Sequence, residues 1–221
     1  MAERDTIPAA ALAELAVFPL PDLVLFPNAL LPLHIFEPRY RDMMADVVAG
    51  SGLLAVARLR PGYEADYHGR PPIFPTVGVG RCIASDKLPD GRYNIMLRGL
   101  ARLYIEAELP PDKTYRQVRA RLLGDDRSAR SGDLGRLQRE LVSVCDRLAD
   151  AVTDGAPLRE LARAIPSPGG CADVVGSALV RDADVRQSLL ELLDPADRLE
   201  RVIDYVAMLV GQFGPGNRTL N

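Results

Sequence analysis

Residues 15–123 set short aliphatic and β-branched runs between Pro and Gly breaks, whereas from residue 133 onward apolar positions recur every three or four residues. The first pattern predicts strands and the second amphipathic helices. The clearest strand is 93–106, where Tyr93, Ile95, Leu97, Gly99, Ala101, Leu103 and Ile105 share one parity and Asn94, Arg98, Arg102 and Glu106 lie on the other, together with Met96, Leu100 and Tyr104. That run is long for one flat strand, so Gly99 is expected to mark a bend that lets it serve two edges of a curled sheet. This favours a barrel. Pro89-Asp90-Gly91 supplies a tight turn before it, and 76–85 is its antiparallel partner. Gly78 and Gly80, alternating with Val77 and Val79, leave space for another backbone or side chain to approach the sheet.

Upstream, 23–26 reads as a buried strand stopped by Pro27, 33–36 as a second strand and 53–59 as a third. Between the last two, Glu37-Pro38 opens a helix whose apolar stripe is Tyr40, Met43, Met44, Val47 and Val48. Residues 60–75 form a Pro-, Gly- and Tyr-rich loop. The second half predicts four helices. The first carries Leu137, Leu141, Val144, Leu148 and Val152 and ends at Gly155-Ala-Pro157. A short one covers 158–165, a third 171–181, and 185–193 leads through a capping Asp194-Pro195 into a last helix bearing Leu199, Val202, Ile203, Val206, Leu209 and Val210. Residues 124–132, all Gly, Ser, Ala and charge, have nothing to bury and read as a linker. The expected organisation is a β-barrel over 12–123, the linker over 124–132 and a helical bundle over 133–212.

Composition places few further limits. At 221 residues with 48% apolar and 26% charged residues, the chain can bury a core without metal or disulfide support. Cys82, Cys145 and Cys171 form no C-x-x-C pair and read as small buried apolar residues. The first 16 residues lack the basic-then-apolar pattern of a signal peptide, and no apolar run reaches ~18 residues, so a cytoplasmic protein without membrane attachment is expected. The net charge is −3, although all but Lys87 and Lys113 of the 27 basic residues are Arg. Acids cancel these arginines, which argues against a nucleic-acid partner.

Little in the chain looks catalytic. His34 and His68 are the only histidines; His34 sits among apolar residues and reads as scaffold. Glu64 and Asp66 lie near His68, but the loop has no third well-spaced metal ligand. No acid–base pair stands out, so no catalytic residue, metal or cofactor is expected. The segment Glu37-Pro-Arg39-Tyr-Arg41-Asp42 differs, because it sets two arginines and two acids at the mouth of a helix beside Leu30, Leu31 and Phe36. One reading is a capped helix with solvated charges. The other is a mixed apolar and charged surface of Leu30, Leu31, Phe36, Glu37, Arg39, Arg41 and Asp42 that grips an extended polypeptide, with the 60–75 loop as its opposite wall.

Longer motifs carry a family resemblance. Phe18-Pro-Leu-Pro-Asp-Leu-Val-Leu-Phe-Pro27 followed by Leu31-Pro-Leu-His-Ile-Phe-Glu-Pro-Arg-Tyr-Arg-Asp-Met43 resembles the opening of the Lon substrate-binding domain, the N-terminal domain of ATP-dependent Lon proteases. Val77-Gly-Val-Gly-Arg-Cys-Ile83, the turn at 88–91, Asn94-Ile-Met-Leu-Arg-Gly-Leu-Ala-Arg-Leu103 and Arg186-Gln-Ser-Leu-Leu-Glu-Leu-Leu-Asp-Pro-Ala-Asp-Arg-Leu-Glu-Arg201 match later parts of that family in order. The resemblance implies an α+β fold: a PUA-like six-stranded β pseudobarrel with one helix, followed by a four-helix bundle-like subdomain. It also implies a module that binds unfolded polypeptides or docks on a protein partner such as a protease or chaperone. No G-x-x-x-x-G-K-[ST] loop is present, so a stand-alone member without the ATPase and protease parts is expected. The rival readings are RNA binding, through the barrel's likeness to PUA domains, and a small hydrolase. A homo-oligomer is compatible with the sequence.

Overall fold

The computed structural model describes residues 6–67, 69–126, 130 and 132–213. Its chain divides into two compact units, Met1–Gly124 and Asp125–Asn221. The first holds α1 (Ala9–Ala13), β1 (Leu15–Leu20), β2 (Leu30–Ile35), α2 (Pro38–Ala49), β3 (Leu53–Arg58), β4 (Thr76–Lys87), β5 (Tyr93–Glu108) and β6 (Arg116–Leu123). The second holds α3 (Leu134–Ala151), α4 (Ala156–Ala164), α5 (Pro168–Leu179), α6 (Ala183–Glu191) and α7 (Pro195–Phe213). The fold is α+β.

The six strands run in the order β2-β5-β4-β3-β1-β6, and β5 pairs again with β6 to close the sheet. One long strand makes this closure possible. β5 uses residues 93–98 against β2 and residues 102–108 against β6, with Gly99 between them. Its buried face therefore serves two cores: Tyr93, Ile95 and Leu97 join the cluster around α2, whereas Leu103 joins the cluster with Val77, Val79, Val118 and Leu15. β1 and β3 are parallel neighbours, and β3 is buried from Leu53 to Arg58. A strand covered on both faces shows no alternation, in keeping with its unbroken aliphatic run.

Residues 24–26 are buried and Leu23 is partly so, but 23–26 belong to no strand, contrary to the sequence expectation. They cross the sheet over glycines. A Cβ on Gly78 would lie 1.8 Å from the Leu25 carbonyl oxygen, and one on Gly99 would lie 1.9 Å from that of Phe26. Next to this crossing, the Gly99 amide donates to the Ala29 carbonyl at 2.8 Å, and the Asn28 amide donates to the Gly99 carbonyl at 2.9 Å. The approach of a backbone anticipated at Gly78 and Gly80 is thus filled by the chain itself. β1, not singled out in the sequence because Pro19 interrupts it and Pro21 follows it, takes the place that 23–26 was given.

Helix α2 buries Tyr40, Met43, Met44 and Val47, while Val48, expected in the same stripe, is half exposed. Among the described residues the second unit has five helices instead of four, because α6 is separated from α7 at Asp194, whose carboxylate accepts from the Ala196 amide at 2.7 Å. Gly155 and Pro157, read as the end of α3, open α4. Within this unit α5 is buried along Gly169–Gly176, and its Val174 and Val175 are buried, as are Leu137, Leu141, Val144 and Leu148 of α3 and Leu199, Val202 and Val206 of α7. Cys145 and Cys171 are buried free thiols, pushed up to about 12 and about 11 mainly by burial, which leaves them protonated and unreactive at neutral pH.

Candidate polypeptide-binding surface

β2 is an edge strand, hydrogen-bonded to β5 alone. Its burial alternates: Leu31, Leu33 and Ile35 turn toward the α2 cluster, and Leu30, Pro32 and His34 turn outward. The register places Pro32 opposite Met96 and His34 opposite Asn94, and on the next strand Ala84 stands opposite Met96 and Asp86 opposite Asn94. These outward residues line a shallow hollow of about 650 Å³ across β2, β5 and β4. Leu30 at one end of β2 and Phe36 just past the other are each 60% exposed. Ile83, pushed out where β4 slips register between Cys82 and Ala84, is 49% exposed. At a strand rise of ~3.3 Å per residue, Leu30 and Phe36 stand ~20 Å apart, the length of an extended hexapeptide.

The free edge is not a smooth template. Pro32 has no N–H, and the Gly99 amide bond to Ala29 sets the odd residues of β2 as those that pair with β5. The outward backbone groups therefore come from Leu30, Pro32 and His34, with a donor missing in the middle. An interrupted edge resists sheet-to-sheet aggregation and leaves contact with another chain to side chains. His34 is exposed on this face, and its Nδ1 lies 2.7 Å from Asn94 Oδ1 while Arg92 Nη1 approaches Nε2 at 3.3 Å. Donation from Nδ1 to the Asn94 oxygen leaves Nε2 to accept from arginine, which is the neutral tautomer.

The structure does not gather the seven sequence-predicted site residues on one surface. Leu30 and Phe36 flank the hollow, and Leu31 faces the core side. Glu37 stands at the N-terminus of α2 without capping it; its carboxylate instead pairs with Arg39 Nε at 3.1 Å and accepts from the Tyr67 hydroxyl at 3.3 Å. Arg39 also donates to the Tyr67 carbonyl at 3.4 Å, so the 60–75 loop is tied to the helix mouth. Arg41 donates to the Asp90 carbonyl at 3.0 Å, and Asp42 accepts from Thr114 at 3.0 Å. The charged members brace the fold, Leu31 packs on the core, and only Leu30 and Phe36 stay open. Pro32, Ile83 and Met96 were missed; strand parity marks their face only once the register is known. His68 lies outside the described residues, and among those described no group of three or more His, Cys, Asp or Glu could hold a metal ion.

Further along α2, Asp46 accepts from Tyr115 at 2.6 Å and pairs with Lys113 at 3.0 Å, and these bonds hold its carboxyl below the usual range. Tyr115 is raised, first by burial and then by Asp46. The folded state thus favours the aspartate anion and the neutral phenol. The Asp46 contribution is present above its unfolded pKa of ~3.9 and lost as pH falls through the depressed native value; the Tyr115 contribution is present below ~10 and lost as pH rises through the raised one. Tyr115→Phe is expected to reduce the pH dependence of the urea midpoint at both ends, acid and alkaline, and to leave its slope between them unchanged.

The family model of the ATP-dependent protease La (LON) substrate-binding domain matches residues 14–208. The chain belongs to that family. Among curated relatives, the LON substrate-binding domain here is 25% identical over 191 residues to the Lon protease of Desulfosudis oleivorans, covering 84% of this chain and 23% of that protein. It is 28% identical over 205 residues to the Lon protease of Azospirillum brasilense, covering 90% of this chain and 24% of that one. The chain therefore spans about a quarter of the length of these relatives. Its fold matches the N-terminal domain of Mycobacterium avium complex Lon protease with a TM-score of 0.66 at 18% identity, covering 88% of this chain and 98% of that one. A Lon N-terminal domain protein from Xanthomonas campestris matches with a TM-score of 0.60 at 23% identity, covering 87% and 98%. Among the described residues, no helix of this LON substrate-binding domain is long and apolar enough to cross a membrane.

Proposed function

We propose that this chain is a non-enzymatic recognition module that holds extended or unfolded segments of other polypeptides, in the manner of substrate selection for protein quality control. The observation that carries the reading is the row of outward side chains on the edge strand and its neighbours, Leu30, Pro32 and Phe36 with Ile83 and Met96, all apolar on a surface where most other outward residues are polar. Exposed apolar groups in a row cost the free protein solubility, so their presence is best understood as an interaction surface. An unfolded chain offers matching side chains without fixed sequence, and the proline-broken edge keeps any backbone pairing short and tolerant of register.

The decisive experiment titrates a fluorescently labelled, permanently unfolded polypeptide against the protein without nucleotide. Saturable binding that weakens little at high salt is expected, because apolar burial and not phosphate neutralisation drives it. Phe36→Ser combined with Leu30→Ser should weaken it about tenfold or more, from ~1.5–3 kcal/mol per buried large apolar side chain. Wild-type affinity retained in the double variant would remove this surface from the account.

A further inference from the structure

A second, smaller pocket of about 240 Å³ lies between the first turn of α2, residues 69–70 and residues 111–116, and it shares no lining residue with the hollow on β2. Among the described residues, every charged side chain that lines it is a cation: Arg39, Arg70, Lys113 and Arg116. Three of these already have a carboxylate. Arg39 pairs with Glu37 at 3.1 Å, Lys113 with Asp46 at 3.0 Å, and Arg116 with Glu108 through both Nε and Nη2. The Arg70 guanidinium has none among the described residues and reaches only the Leu109 carbonyl, at 3.4 Å. Arg70 is thus the one lining cation whose side chain makes no ion pair among the described residues, although the Asp66 carboxylate accepts from its backbone amide at 3.3 Å. Beneath it Tyr40 is only 6% exposed, lines the pocket, and has no hydrogen-bond partner for its hydroxyl among the described residues. Its hydroxyl is not cut off from solvent as a buried unpaired group would be, and from the pocket wall it can donate to a ligand.

We propose that this pocket binds the terminal carboxylate of a polypeptide chain, with Arg70 pairing to it and the Tyr40 hydroxyl donating to its second oxygen. The inference rests on the polypeptide-binding reading above and adds chain-end selectivity to it. A monoanion matches the single guanidinium without an ion pair, whereas a phosphate dianion would add a negative charge beside Glu37, Asp46, Glu108 and Asp66. The volume is below the ~300–1,000 Å³ of sites for drug-sized ligands and suits one terminal residue.

The test compares a labelled apolar decapeptide with a free C-terminal carboxylate and the same peptide as its amide, binding to the full chain. N-acetyl-leucine, N-acetyl-leucinamide and inorganic phosphate serve as small probes followed by NMR. The free-acid peptide is expected to bind about tenfold tighter than the amide, the worth of one charge-assisted contact. That preference should vanish in Arg70→Ala and shrink in Tyr40→Phe, which keeps the ring, and N-acetyl-leucine but not its amide should shift the Arg70 and Tyr40 signals. Equal binding of acid and amide, or a preference that survives Arg70→Ala, overturns the proposal while peptide binding itself stands. Phosphate outcompeting N-acetyl-leucine overturns the choice of a chain end. N-acetyl-leucine bound in the pocket while neither peptide binds overturns the polypeptide reading instead, and with it the source of the carboxylate.

Discussion

Replacing Gly99 by alanine is expected to destabilise the strand unit by about 3 kcal/mol or more, at the severe end of single substitutions. The added methyl would be placed 1.9 Å from the Phe26 carbonyl oxygen, and the obstacle is backbone, so no side-chain rotation relieves it. Either the 23–29 crossing lifts away from β5, breaking the bonds from the Gly99 amide to Ala29 and from the Asn28 amide to Gly99, or β5 moves and loses β4. Gly78→Ala should act alike, with its methyl 1.8 Å from the Leu25 carbonyl oxygen. Gly124→Ala, with nothing within 4 Å of the new atom, serves as the control and should change stability by less than ~0.5 kcal/mol. The chain has no Trp, so urea unfolding is best followed by circular dichroism. A Gly99→Ala midpoint equal to that of the control would mean that the crossing does not press on the sheet as described.

The second large effect is expected in the helical unit. Arg198 is 1% exposed, an unusual place for a guanidinium, and it is held from several sides. Its Nη2 pairs with Asp125 at 2.6 Å, Nε faces Asp173 of α5 at 3.3 Å, and Nη1 donates to the Leu192 carbonyl at 2.7 Å, just past α6. One side chain on α7 thus fastens the α6–α7 connection, the most buried helix and the start of the unit. α5 carries Gly169 where it meets this guanidinium; a Cβ there would lie 2.6 Å from Nη2. Arg198→Met keeps the volume and removes the charge, leaving Asp173, whose side chain is 4% exposed, without its buried counter-charge. The loss should be about 3–5 kcal/mol. Adding Asp173→Leu should recover part of it, since a buried ion pair replaced on both sides by apolar groups is often close to neutral. A single variant within ~1 kcal/mol of wild type would show that the ion cluster adds little.

The fold was legible in the sequence where local periodicity and burial coincide. β5 could be read because seven residues of one parity line its buried face, and its length already implied two edges. Helices α3 and α7 could be read because each packs one stripe against neighbours of its own unit. What escaped depends on distant pairing. The run 23–26 has the composition of a strand, yet it lies over glycines more than 50 residues further on and forms no strand of its own. The surface divides in the same way. Leu30 and Phe36 stood out by type, but their grouping with Met96 and Ile83 needs the β2–β5–β4 register. The role of Arg41 and Asp42 as braces depends on Asp90 and Thr114, 49 and 72 residues away from them.

Site-specific photo-crosslinking tests the central claim most directly. A benzoylphenylalanine at position 36 is compared with one at position 122, where Leu122 is 48% exposed on β6 and lies outside the hollow. With a permanently unfolded polypeptide as bait, position 36 should crosslink in a saturable manner and position 122 should not. Equal crosslinking from both positions, or crosslinking from 122 alone, would contradict the assignment of the β2 face as the surface that holds other chains.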